Sequence, residues 1–234
     1  MSSGNVVMAR RVYRSSELAH FTRCHPEYPC RCRTRPIRGH GAPTAPTQPM
    51  PMDFPAYLTE LAALYAANDQ ALQLAPGVSE DALADAEREL GFTICPLLKS
   101  VWRHANGSED AQTVFARPGY LTGYRFLSLQ QAMQQWRGMH RRAPQYHGYE
   151  DPRPRDVRLQ SGWAQQGWLP FAGFHAPILM LILDHSPSAH GRPGQIISFT
   201  HDPDAMDHVC DGFAALLPLS LTQIADAPED LLLE

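Results

Sequence analysis

The chain has 234 residues, 44% of them hydrophobic and 19% charged, a balance that fits a globular protein and excludes a collagenous or low-complexity one. No run approaches the ~20 apolar residues of a membrane helix, and the arginine-bearing start lacks the ~7–15-residue apolar segment of a secretory signal, so a cytoplasmic protein is expected. The net charge of −4 is unevenly spread: residues 1–50 carry eight Arg and two Glu, which leaves 12 basic and 22 acidic residues, net −10, in the remainder. So acidic a body repels nucleic acid and speeds encounter with a basic partner.

Residues 1–52 show no helical or strand periodicity and close on "GHGAPTAPTQPMPM", whose prolines cannot propagate a helix or sheet. A disordered, basic, Pro-rich extension is expected there, and Met50 or Met52 are alternative starts that open directly onto the first helix. "CHPEYPCRC" brings Cys24, His25, Cys30 and Cys32 together, but no second ligand pair follows at the spacing of a structural zinc site. The odd total of five Cys points to a reducing compartment.

From Asp53 to Glu234 the pattern is that of one α+β domain. "DFPAYLTELAALYAANDQAL" repeats apolar residues at helical spacing through Phe54, Leu58, Leu61, Leu64, Tyr65 and Leu72. "GVSEDALADAERELGF" reads as a helix capped by Ser79, stapled by Val78 and Leu83, and stopped at Gly91. A third helix begins at Pro96, buries Leu97, Leu98, Val101 and Trp102, and ends at Asn106-Gly107. Short strands follow near Thr113–Ala116 and Tyr124–Leu127. Ser128 and Gln131 then have capping-box spacing ahead of a helix that aligns Met133, Trp136 and Met139.

The stretch 141–162, rich in Pro, Arg and Gly, reads as a long exposed loop, with Trp163 beside it as an exposed interface anchor. Three strands are expected next: Trp168–Ala172, Pro177–Asp184 and Gly194–Thr200. The middle one is apolar without alternation, so it should be central and covered on both faces. "DGFAALLPLSL" opens a last helix with Asp211 as its cap and Pro218 as its disturbance or end. Helices lead and strands cluster later, so the fold class is α+β, a mixed or antiparallel sheet with helices packed against it.

The chemistry-bearing residues gather in "LILDHSPSAHGRPGQIISFTHDPDAMDH". One reading makes Asp184, His185, His201, Asp202 and His208 ligands of a hydrolytic metal, with Asp184 and His201 meeting at the ends of paired strands. No established ligand spacing supports it, and successive strand residues point to opposite faces. The plainer reading treats "HSPSAHGRPG" and "THDPDAMD" as two connections, leaving no catalytic residue, metal or cofactor to assign. Cys95 precedes a helix-start proline, where a thiol can feel the dipole; a packed, inert role is favoured.

Taken in order, "GFTICPLLKSVWRHANGSE", "FLSLQQAMQQW", "GWLPFAGF", "ILMLILD", "GQIISFTHD" and "DGFAALL" resemble the successive blocks of the SUKH superfamily, spanning about residues 76 to 217. That superfamily includes Smi/Knr-type fungal cell-wall assembly regulators and many bacterial immunity proteins. The resemblance implies an α+β domain without catalytic activity that binds a cognate toxin encoded nearby. One departure is "AGFHAP", where His175 and Pro177 replace the usual Gly-rich turn. On this reading the acidic residues Glu109, Asp110, Asp202, Asp204 and Asp207 form a loop surface that meets a basic toxin domain, with Trp163 as an apolar anchor. The alternatives are the metal-dependent hydrolase above and a regulatory scaffold with several partners.

Overall fold

In the computed structural model, residues 52–109, 112–120, 122–174 and 178–232 are described. The expectations for residues 1–51, for Asp110 and for His175 and Pro177 lie outside them. Helix α1 (Phe54–Ala67) starts where the Asp53 carboxylate accepts the Ala56 N–H at 2.8 Å, and it buries Phe54, Tyr57, Leu58, Leu61 and Tyr65. It stops at Asn68, ahead of Leu72, because Asp69 enters the left-handed region at φ 57°.

Strand β1 (Leu74–Pro76) leads to α2 (Glu80–Leu90), which is capped by the Ser79 hydroxyl and closed by Gly91 at φ 74°, as the sequence predicts. Helix α3 (Pro96–His104) runs straight into β2 (Ala105–Ser108), which pairs antiparallel with β1. Asn106-Gly107 therefore lies in a strand and does not cap α3. The Asn106 carboxamide oxygen instead accepts the N–H of Leu129 at 2.8 Å, and Gly107 (φ 96°) passes Ser128 so closely that a Cβ would sit 2.8 Å from its nitrogen.

Strands β3 (Arg125–Phe126), β4 (Trp168–Gly173), β5 (Leu179–Asp184), β6 (Gln195–Thr200) and β7 (Ala205–Cys210) form a five-stranded sheet in that order. Every pairing is antiparallel. Strand β5 is central. Its Leu181 and Leu183 enter the main core with the helices, while Met180 and Ile182 enter a second core on the other face. Covering both faces is what an uninterrupted apolar strand requires.

The sequence reads "THDPDAMD" as a connection, yet its last three residues, Ala205–Asp207, open strand β7. Its polar Asp207 and His208 alternate on an edge strand, and the register shift opposite Ile196/Ile197 breaks the period-two pattern. Helix α4 (Leu129–Arg142) carries the complete Ser128–Gln131 capping box. A single 3-10 turn, Ala143–Tyr146, then starts a strap, residues 147–166, that covers the second face.

Helix α5 (Phe213–Asp226) is capped by Gly212, not Asp211, and runs through Pro218 without ending; α6 (Pro228–Leu231) follows. Burial of Leu216, Leu217, Ser220 and Ile224 outweighs the one lost backbone bond. Ser220 also ties three segments together. Its Oγ accepts the Ala116 N–H at 2.8 Å and lies 2.8 Å from the Tyr57 hydroxyl, which in turn donates to the Val114 carbonyl. Burial holds the Tyr57 phenol well above its usual range, so it stays a neutral donor.

Candidate functional site

Strand pairing decides which of the candidate residues can meet. In the β5–β6 hairpin Asp184 faces Gln195, while Leu179 faces Thr200, the residue before His201. Asp184 and His201 thus stand at opposite ends of the hairpin, about 20 Å apart at the rise of an extended strand. The expectation that paired strands bring them together is corrected by this register, and with it the metal site they were to share. Among the described residues, no group of three or more His, Cys, Asp or Glu is placed to hold a metal ion.

Each of these residues has a local task. Asp184 is fully buried and takes the Gln195 side-chain N–H at 2.9 Å and the Ser186 N–H at 2.8 Å, closing the turn after β5. Burial raises its carboxyl above the usual range, while the hydrogen bonds from Gln195 and Ser186 pull it back. His185 joins the sheet to a helix. Its Nε2 accepts the backbone N–H of Cys95 at 2.9 Å, so the proton sits on Nδ1, 3.1 Å from the Gly167 carbonyl. Burial holds this imidazole below its ordinary value, in the neutral form that the arrangement needs. The same bond gives the residue before α3 a partner for its N–H, and Cys95 remains a free, half-buried thiol.

The expected acidic surface is only partly exposed. Glu109, after β2, and Asp202, in the β6–β7 hairpin at φ 62°, are exposed, and no ion pair engages either among the described residues. Asp204 is not free. His201 Nδ1 bonds its carboxylate, and Tyr146 lines the same cleft. Burial first, then that carboxylate, push the Tyr146 phenol up to about 12. Asp207 is a strand residue whose two oxygens lie 2.6 Å from Arg153 Nη2, with Arg117 Nη1 3.6 Å from Oδ2.

Trp163, expected as an exposed anchor, is 9% exposed. It belongs to the second core with Trp168, Ile182, Ile197 and Phe199, stacks on Tyr146 at 4.6 Å, and has the Arg155 guanidinium 4.9 Å from its ring centre. Its Gly-flanked neighbourhood suggested a surface loop, but the strap folds back on the sheet and presses the indole inward. Trp168 and Trp102 are fully buried, and Trp136 is half-buried with its Nε1 donating to Gln166 O at 3.1 Å.

Register also places the free carboxylates. Arg125 pairs with Gly173, Gly173 with Met180 and Met180 with Phe199, so the start of β3 and the β6–β7 hairpin share one end of the sheet. Ser108 Oγ accepts the Phe126 N–H at 3.1 Å, which brings β2 and hence Glu109 to the β3 side of that end. Three strand spacings, about 14 Å, separate the β3 side from the β6 side where Asp202 lies.

Sequence reasoning did not find Arg117, Tyr120 or Arg153. "FARPGY" looks like an ordinary Pro-Gly turn, and nothing in it announces that Arg117 reaches Ser198 and Asp207 across the chain.

An α+β protein with an antiparallel meander, helices on one face and a strap on the other is the class these features define. The sequence model of the SMI1 / KNR4 family (SUKH-1) matches residues 77–218, and the chain belongs to that family. The matched region runs from the approach to α2 into α5, so it includes the whole five-stranded sheet. The family covers immunity proteins and Smi1/Knr4 regulators. No curated protein matches the chain.

Proposed function

We propose that this protein is a non-catalytic immunity protein that binds and neutralises a cognate toxin encoded beside it. Family membership over residues 77–218 is the observation that carries the reading, since immunity proteins form part of that family. The arrangement of the charges supports it. Asp184, His185, His201, Asp204 and Asp207 are each held by partners within the chain, whereas Glu109 and Asp202 are exposed at one end of the sheet. The body's net charge of −10 draws in a basic partner, and the two free carboxylates meet the rim of its active site. Occlusion is steric: the loops at the sheet end cover the toxin's site, and no bond is made or broken.

Asp110, next to Glu109, belongs to the same proposed surface. Asp204 adds negative potential from the same hairpin, the charge of Asp207 is taken up by Arg153 and Arg117, and Trp163 acts only by holding the strap in place. Co-expression tests the reading. The product of the adjacent gene should arrest growth alone, co-purify with this protein, and lose its toxicity in its presence. Failure to bind or to protect removes the proposal.

A further inference from the structure

On the β7 edge, Arg117, Tyr120, Arg153, Asp207 and His208 line a cavity of about 360 Å³. Arg117 is only 5% exposed. It hydrogen-bonds the Ser198 hydroxyl, lies 3.4 Å from Thr200 Oγ1, and lays its guanidinium over the Tyr120 ring at 3.4 Å. A guanidinium taken this far from water needs a full complement of acceptors. Among the described residues it lacks one, because Arg117 Nε is buried without a hydrogen-bond partner.

Among the described residues, the only carboxylate lining the cavity is Asp207, and two arginines share it. Its close contacts, both 2.6 Å, go to the exposed Arg153, leaving Arg117 at 3.6 Å. His208 adds no charge: burial, then the nearby Arg158 guanidinium, hold its imidazole below the ordinary range. The cavity lining therefore carries one positive charge in excess inside a body that is net negative.

We propose that this cavity binds an oxyanion, a carboxylate or phosphate group held between Arg117 and Arg153. The guanidinium fork matches both oxyanions geometrically, and a charge-assisted bond there completes the coordination that Asp207 supplies only in part. Arg117, fixed by Ser198, Thr200 and Tyr120, is the preorganised half of the clamp. Arg153, on the exposed strap, is the half that swings to admit the anion. This site does not depend on the toxin-binding reading, and its test requires no partner protein.

Titration of the full chain with sodium acetate and with sodium phosphate, each against sodium chloride at matched ionic strength, is followed through the arginine Nε–H resonances. A saturable shift of the Arg117 and Arg153 signals with acetate, phosphate or both, and none with chloride, supports the site and identifies the preferred oxyanion. Arg153→Gln, at a surface position, should weaken that binding at least about threefold. Asp207→Asn removes the competing carboxylate and should tighten it by about threefold or more, and the anion should restore melting temperature to this variant more than to the parent. Equal response to all three salts, or an Asp207→Asn variant that binds no better than the parent, overturns the proposal.

Discussion

Replacing His185 with Phe isolates one joint between sheet and helix. The ring volume and the contact with Phe92, 4.8 Å between ring centres, are kept, while the acceptor for the Cys95 N–H is lost. Gly167 O retains the His185 backbone N–H at 2.8 Å, so a single half-buried donor, the Cys95 N–H, is orphaned. That costs about 1–3 kcal/mol. For a folded unit of this size the melting temperature should fall by about 2–4 °C per kcal/mol, so a drop near 6 °C is expected.

The pH dependence carries the sharper signature. Because burial lowers the His185 pKa in the folded state, the unfolded chain binds the proton more readily. Stability is fully present above the unfolded value of about 6.5 and is lost as pH falls toward the folded pKa, at up to about 1.4 kcal/mol per unit. His208 is lowered too and contributes to the slope in both proteins, so the difference between parent and variant is the quantity to read. Urea denaturation of both at pH 8, 7, 6 and 5.5 provides it. If the variant matches the parent's midpoint at pH 8, or loses stability on acidification as steeply as the parent, the assigned role of His185 is wrong.

Three further outcomes are expected. Asp184→Asn, which keeps the turn's acceptor oxygen and drops a buried charge, should change stability at pH 7 by less than about 1.5 kcal/mol; the parent should lose stability relative to this variant as pH rises from about 3.8 to the raised folded pKa, as denaturation of both proteins across that range would reveal. Trp163→Ala should cost about 3–5 kcal/mol and open the strap, read as faster proteolysis within residues 147–162. Ser220→Ala should cost about 1–3 kcal/mol by leaving the Ala116 N–H unpaired, measured by denaturant midpoint.

Both ends of α2 and the start of α4 are the most legible part of the fold, because their signals are local, whereas the ends of α1 and α3 and the cap of α5 are not. Ser79 with Gly91, and Ser128 with Gln131, each specify their element within a dozen residues. The burial of β5 on both faces was legible for the same reason. What the sequence did not disclose depends on distant partners. Pro218 stays helical because the surrounding helix is buried, β7 is a strand because β6 is there to pair with it, and Trp163 is buried because the strap folds over the sheet. The candidate site suffered most. Nearness of Asp184 and His201 was inferred from strand ends, yet an antiparallel hairpin joins the end of one strand to the beginning of the next, which puts those two residues at its opposite poles.

On the proposed function, the chain acts by shape and negative potential on a basic protein. Association kinetics with the product of the adjacent gene test it most directly, comparing the parent with a Glu109→Lys, Asp202→Lys double variant from low to physiological salt. The association rate of the parent should fall with salt, and the double variant should associate about tenfold more slowly at low salt with a flatter salt dependence. Identical, salt-independent rates for the two proteins, or no complex at all, would contradict it.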